Sequence, residues 1–136
     1  MKTFKLKTLE VFENVDEDIT LQQIPLIDGL TVNKEDEQDQ WVIEAYIERC
    51  YQAFFQELAD HEDHIMIQVK ITKESNDPAT FITSIIGINE IGEHMNVLFL
   101  GTIVDRQKGK VKELLRKLVE EGYQGELLID KFKELI

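Results

Sequence analysis

Trp41-Val42-Ile43-Glu44-Ala45-Tyr46-Ile47 is the stretch that decides the fold. In an extended chain successive side chains point to opposite sides, so Trp41, Ile43, Ala45 and Ile47 share one face while Val42, Glu44 and Tyr46 share the other. A period of two carried by β-branched and aromatic residues predicts a strand with one face in a core. The same period returns on both sides of this stretch. Towards the N-terminus, Phe4, Leu6 and Val11 alternate with Lys5 and Lys7, with a slip near Leu9 that reads as a bulge. After a turn at Asn14 to Asp18, Ile19, Leu21 and Gln23 alternate with Thr20 and Gln22. Pro25 then marks an edge or an end, because it has no amide hydrogen to give to a ladder. Asp28-Gly29 lies between Ile24–Ile27 and Leu30–Val32, and signals either a hairpin or a bend within one long strand. Asn33 to Gln40 is a polar loop. Towards the C-terminus, His64 to Thr72 sets Ile65, Ile67, Val69 and Ile71 on one face. Thr80 to Asn89 and His94 to Val104 follow as strands, with Gly101 read as a bulge. Asn76-Asp77-Pro78 and Glu90-Ile91-Gly92-Glu93 are the turns between them.

The period changes in two places. Cys50, Tyr51, Phe54, Phe55 and Leu58 recur at helical spacing, which predicts a short helix near residues 49–60 with Cys50 on or beside its apolar face. Val111, Leu114, Leu115, Leu118 and Val119 do the same, as do Leu128, Phe132, Leu135 and Ile136. Gly122 suits the left-handed residue that ends a helix, and Gly122 and Gly125 flank a connection so short that the two helices form an antiparallel pair. Lys110, Lys112, Arg116 and Lys117 make the first of them basic. Strands joined by short turns pair antiparallel, and such a sheet closes to bury its apolar face and hide its edges. The expectation is therefore an α+β domain, mainly β, spanning all 136 residues. Its residues 1–104 form an antiparallel barrel of about six to eight strands, and residues 105–136 form the helix pair on or beside it.

Acidic residues number 27 against 15 basic ones, a formal charge of −12. That balance repels phosphate backbones and anionic lipid surfaces, so neither nucleic acid nor membrane is an expected partner. It favours solubility and can steer a basic protein towards the chain. The single cysteine, Cys50, cannot form an internal disulfide. The alternating N-terminus has no continuous apolar stretch of the signal-peptide kind, and the expected setting is the cytoplasm.

Few residues point to chemistry. Asp60-His61-Glu62-Asp63-His64 is the most suggestive group, since His61 and His64 three apart suit one face of a helix and carboxylates beside imidazoles can hold zinc. Asp60, His61 and His64 are thus the candidate metal ligands, weighed against a solvated turn between helix and strand. The acidic runs Asp16-Glu17-Asp18 and Glu35-Asp36-Glu37-Gln38-Asp39 lack the spacing and glycine of a calcium loop. Cys50 has no base or orienting group beside it and reads as a small buried hydrophobe. Ser75 and Ser84 lie outside any nucleophile elbow, and no phosphate-loop pattern occurs. Trp41, Phe54 and Phe55 read as core before they read as a ligand pocket. No catalytic residue and no cofactor are expected.

Three stretches carry a resemblance: MKTFKLKTLEV (1–11), IPLIDGLTVNKEDEQDQWVIEAYI (24–47) and VKELLRKLVEEGY (111–123). Together they resemble the YwpF-like family, small proteins of Gram-positive bacteria, over the length of the chain. The resemblance implies a β-barrel core similar to the Hcp-type tube proteins of type VI secretion, with an added C-terminal helix pair. It carries over no functional residues, and a shared fold does not transfer a function. The resulting expectation is a non-enzymatic module that works through protein partners or assembly, a homo-oligomer included. The alternative is a barrel that binds a small ligand or a metal.

Overall fold

The computed structural model describes residues 1–15, 18–104 and 110–135, with Val15, Lys110 and Lys112 described through their backbone. Asp16 and Glu17 of the first acidic run, and Ile136 of the last apolar stripe, lie outside the described residues. Seven strands, β1 (Lys2–Val15), β2 (Asp18–Ile24), β3 (Asp28–Asn33), β4 (Gln40–Glu48), β5 (Ile65–Ile71), β6 (Ala79–Ile91) and β7 (His94–Ile103), are joined by three helices, α1 (Gln52–His61), α2 (Lys110–Glu120) and α3 (Gly125–Leu135). Every strand pairing is antiparallel. The ring runs β1-β3-β4-β7-β6-β5 and closes where β5 returns to β1, so six strands form a barrel and β2 is an extra strand.

β1 makes this closure possible because it is long enough to serve three partners. Lys2–Lys5 pair with β3, Leu9–Val15 with β2, and Leu6–Val11 with β5. β2 and β3 thus follow one another along β1 as one long strand bent at Pro25–Ile27. Asp28-Gly29 lies just past that bend and is not a hairpin tip. Proline explains the break, since it can neither donate to the ladder nor relax its fixed φ.

The alternation read in β4 holds, with Ile43, Ala45 and Ile47 buried in the barrel and Val42, Glu44 and Tyr46 on its outer wall. The lumen is filled. Leu6, Leu9, Ile67, Val69, Phe81, Met95, Val97 and Phe99 meet there, and α1 adds Phe55, whose ring lies edge-on to Phe99 at 6.0 Å. Trp41 sits between Phe81 and Phe4, at 5.4 and 6.2 Å. Filling by side chains is the usual state of a barrel this narrow. Thr31 also faces inward, fully buried, and its hydroxyl has no hydrogen-bond partner among the described residues.

The helices build a second core outside the barrel. Met66 and Ile82 stand between inward-facing neighbours and so point out of the wall. They meet Leu115 and Leu118 of α2 and Leu128, Ile129 and Phe132 of α3. Each such side chain contributes about 1.5–3 kcal/mol by leaving water. α2 ends at Gly122, whose φ of 102° is left-handed, and Gly122 N–H donates to Val119 O while Tyr123 N–H donates to Leu118 O. This hydrogen-bonded end, with Tyr123 and Leu118 in one apolar cluster, turns the chain directly into α3. No helix among the described residues is long and apolar enough to cross a membrane.

Several local expectations need correction. Cys50 is exposed: it lies in a single 3-10 turn, Arg49–Tyr51, between the end of β4 and the start of α1. The apolar pairing of Cys50 with Tyr51 imitates a helical stripe one turn too early. Gly101 is not a bulge, since the register runs through it unbroken on both sides. A Cβ there would stand 2.0 Å from the carbonyl oxygen of Ile82, so glycine is present because another backbone passes close. The bulges fall at Ile86, which is 54% exposed, and at Lys7, two residues before the slip read near Leu9. The turn between β6 and β7 shrinks to Gly92-Glu93, because Glu90 and Ile91 still pair. Leu135, read as part of an apolar stripe, is 53% exposed, and Ile129 takes its place in the core.

Candidate functional site

A cleft opens where the helix pair stops covering the barrel. Its volume is about 330 Å³. Phe12, Glu13 and Asn14 come from the end of β1 and Ile19 from the start of β2. Leu58 comes from the end of α1, Glu62 and His64 from the link that follows it, and Ile65 and Met66 from the start of β5. Leu115, Gln124, Gly125, Leu128 and Ile129 come from the helix pair. The floor is apolar because it is the uncovered margin of the second core, while the rim is polar because it is built from the ends of elements.

His64 ties two sides of this cleft together. Its backbone N–H donates to Glu126 Oε2 at 3.1 Å, and its Nδ1 lies 2.8 Å from Glu126 Oε1. Glu126 stands in the first turn of α3, where a carboxylate also complements the positive end of the helix. Both side chains remain about a third exposed, at 36% and 34%. Glu62, the C-cap of α1, gives its backbone N–H to Leu58 O at 2.9 Å. Its side chain has no hydrogen-bond or ion-pair partner among the described residues. Burial holds the Glu62 carboxyl above the ordinary glutamate range, the nearby Glu126 charge raises it further, and Asp63 adds to this against an opposing pull from His61. The cleft therefore holds negative charge short of a partner, beside an apolar floor.

The sequence placed three candidate ligands here, and the structure separates them. His64 lines the cleft. His61 is the last residue of α1 and exposed, so the helix ends between the two histidines and they do not share a helical face. Asp60 is exposed and accepts a hydrogen bond from Gln56 at 3.0 Å. Among the described residues no group of three or more His, Cys, Asp or Glu side chains is close enough to hold a metal ion. Glu126, the partner of His64, was missed: it lies 62 residues further along, and no local spacing marks a contact of that length.

A second concave surface lies on the outer wall of the barrel. It is a trough of about 550 Å³ lined by Thr3, Lys5, Asp28, Leu30, Glu44, Tyr46, Ile91 and Asn96, among others. Its polar groups are largely committed to one another. Asn96 donates to Glu44 at 3.1 Å, Asn89 to Asn96 at 2.9 Å, and Lys5 pairs with Asp28 at 3.2 Å. Tyr46 and His94 meet at 2.9 Å. Among the described residues, the cleft keeps a part-buried carboxyl, that of Glu62, without such a partner.

Comparison with known proteins gives three findings. The profile of the family described as YwpF-like protein matches residues 2–135. A Bacillus subtilis (strain 168) protein, described as uncharacterized protein YwpF, is 42% identical over 135 residues, covering 98% of each chain. The crystal structure of a hypothetical protein from Staphylococcus aureus superposes with a TM-score of 0.70 at 30% identity, covering 98% of this chain and 91% of that one.

Proposed function

The chain belongs to the YwpF-like protein family, and we propose that it is a non-enzymatic protein-interaction module whose binding surface is the cleft between barrel and helix pair. The observation that carries this reading is the cleft itself, with an apolar floor, a polar rim and a carboxylate short of a partner. Two features support it. The barrel lumen is filled by side chains, which leaves binding to outer surfaces. The residues lining the cleft include imidazole and carboxylate groups but no hydroxyl or thiol nucleophile, which favours holding a partner over covalent chemistry. The proposal extends to a cytoplasmic setting and to assembly with other chains. For a tube-type assembly of the Hcp kind the support is confined to the closed barrel.

The test is affinity capture with two baits, the full chain and its Gln124→Trp variant. Gln124 is exposed at the rim, so an indole there blocks the cleft without entering the core. The expected result is a protein retained in stoichiometric amount by the native chain and lost by the variant. An identical set on both baits removes the cleft from consideration, and retention of nothing by either removes the interaction reading.

A further inference from the structure

Resting on that reading, we propose that the occupant of the cleft is a basic polypeptide segment that lays aliphatic side chains on the floor and sets a lysine or arginine head between Glu62, Glu126 and Glu13. The argument is charge complementarity around an apolar groove. Three of the segments that meet at the rim bring negative charge. β1 contributes Glu13, the link after α1 contributes Glu62 and Asp63, and α3 contributes Glu126. The C-terminal end of α1 adds the partial negative charge of its last carbonyls at Glu62. Among the described residues the positive groups near the rim are already engaged or outweighed: His64 meets Glu126, Arg116 of α2 is held by Asp18 at 3.0 Å, and the pull of His61 on Glu62 is exceeded by burial and the Glu126 charge.

The cleft thus keeps the part-buried Glu62 carboxyl within reach of the Glu126 charge, an arrangement that a cation relieves. A bare metal ion does not answer the geometry, since among the described residues no set of ligands converges. A lysine or arginine fits better. Its aliphatic stem follows Phe12, Met66 and Leu128 while its head stays at the rim among carboxylates. The cleft is lined from β1, β2, α1, β5, α2 and α3 at the junction of strands and helices, which gives the groups flanking that cation surfaces on several sides to rest on. The charge of −12 draws a basic segment in from a distance, and the cleft decides where it rests.

The experiment titrates the full-length chain with a short capped peptide alternating leucine and lysine. Two twins, carrying glutamine or glutamate in place of lysine, serve as controls. Binding is read by calorimetry and by amide shifts in the NMR spectrum. The lysine peptide is expected to bind, with shifts gathered at Glu13, Glu62, His64 and Gly125. The glutamine twin should bind about ten-fold more weakly, and added salt should weaken the lysine peptide alone. A Glu13→Gln/Glu62→Gln variant is expected to lose about ten-fold in affinity for the lysine peptide. A Glu37→Gln/Glu74→Gln variant, neutralised at exposed loop positions elsewhere, should keep its affinity. Equal losses in the two variants would mean general attraction to an acidic surface and would overturn the proposal. So would equal binding of all three peptides, or no binding of the lysine peptide at millimolar concentration. If the proposal fails in this way while Gln124→Trp still abolishes capture of a partner, the cleft binds a protein of other chemistry and the interaction reading stands alone.

Discussion

Replacing Gly101 by alanine sets a methyl group against the backbone of β6. Built on the native chain, the new Cβ stands 2.0 Å from the carbonyl oxygen of Ile82, 2.7 Å from Thr83 Cα and 2.8 Å from the Ile82 carbonyl carbon. None of these atoms belongs to a flexible side chain, so relief requires the two strands to separate by roughly 1 Å or more before dispersion contacts become ordinary. Gly101 pairs with Thr83 on one side and with Trp41 on the other, so the movement is felt on both. Overpacking of a tight site costs about 1–3 kcal/mol. Weakening about two ladder hydrogen bonds adds about 1 kcal/mol each. The Thr83 hydroxyl, which donates to Ile65 O at 2.8 Å, is drawn away as well. A loss of about 3–5 kcal/mol is expected, a large share of the about 5–15 kcal/mol that holds a domain together. It should lower the thermal midpoint by roughly 10 °C. The assay is urea unfolding followed by circular dichroism and by the fluorescence of Trp41, the chain's one tryptophan and the cross-strand neighbour of the substituted residue. Gly92→Ala is the comparison: nothing lies within 4 Å of the added Cβ, but φ is +58°, so only the left-handed penalty of about 1 kcal/mol applies. If Gly101→Ala lay within about 1 kcal/mol of the native chain, the steric reasoning, including the reading of why glycine stands there, would be wrong.

Phe132→Ala empties the second core at a wholly buried position and should cost about 3–5 kcal/mol, with helical and sheet signals lost in one transition. A helix pair that melts apart from the barrel would contradict its role as part of one cooperative structure. Thr31→Val removes a buried hydroxyl without a partner at nearly constant volume and should stabilise by about 1 kcal/mol in urea unfolding. A loss of stability would mean that the hydroxyl is satisfied in solution. Glu62 holds its proton to higher pH in the folded chain than in the unfolded one. Stability at this site is therefore full in acid, below the ordinary glutamate range, and declines as pH rises through the raised folded value. Glu62→Gln should be the more stable chain at neutral pH and should lose that advantage in acid. A variant less stable at neutral pH would show that the carboxylate is favourably paired.

The strands were legible where one face is buried and the other wet. The alternation in β4 and β5 reports the barrel wall directly, since the lumen accepts only the apolar set. The Schellman-type end at Gly122 was equally visible, because left-handed geometry leaves a glycine in the sequence. Reading failed where one residue type serves two physical ends. Gly101 was read as a bulge when it makes room for a neighbouring backbone. The true bulge at Ile86 is hidden inside Ile85-Ile86-Gly87-Ile88, whose apolar run has no period. Cys50 and Tyr51 matched helical spacing but lie in the 3-10 turn that swings the chain from β4 into α1. As for the site, His64 was singled out but not its surroundings. The cleft is assembled by contacts such as His64 with Glu126, which depend on how the helix pair docks and leave no trace in local spacing.

β1 also sets the order in which this chain can be made. It leaves the ribosome before the other strands of the barrel, and it can pair with β2 and β3 as soon as they follow. Its other edge must wait for β5, and the bond from Lys70 N–H to Thr8 Oγ1, 3.1 Å long, spans 62 residues of chain. At a synthesis rate of about 5–20 residues per second, the first hairpin spends several seconds with an open edge and an uncovered apolar face. α2 and α3, which shield Met66 and Ile82, arrive only after all seven strands. The nascent chain therefore passes through a stage in which its sticky surfaces precede their covers, and holding factors that bind emerging polypeptides have their opening there.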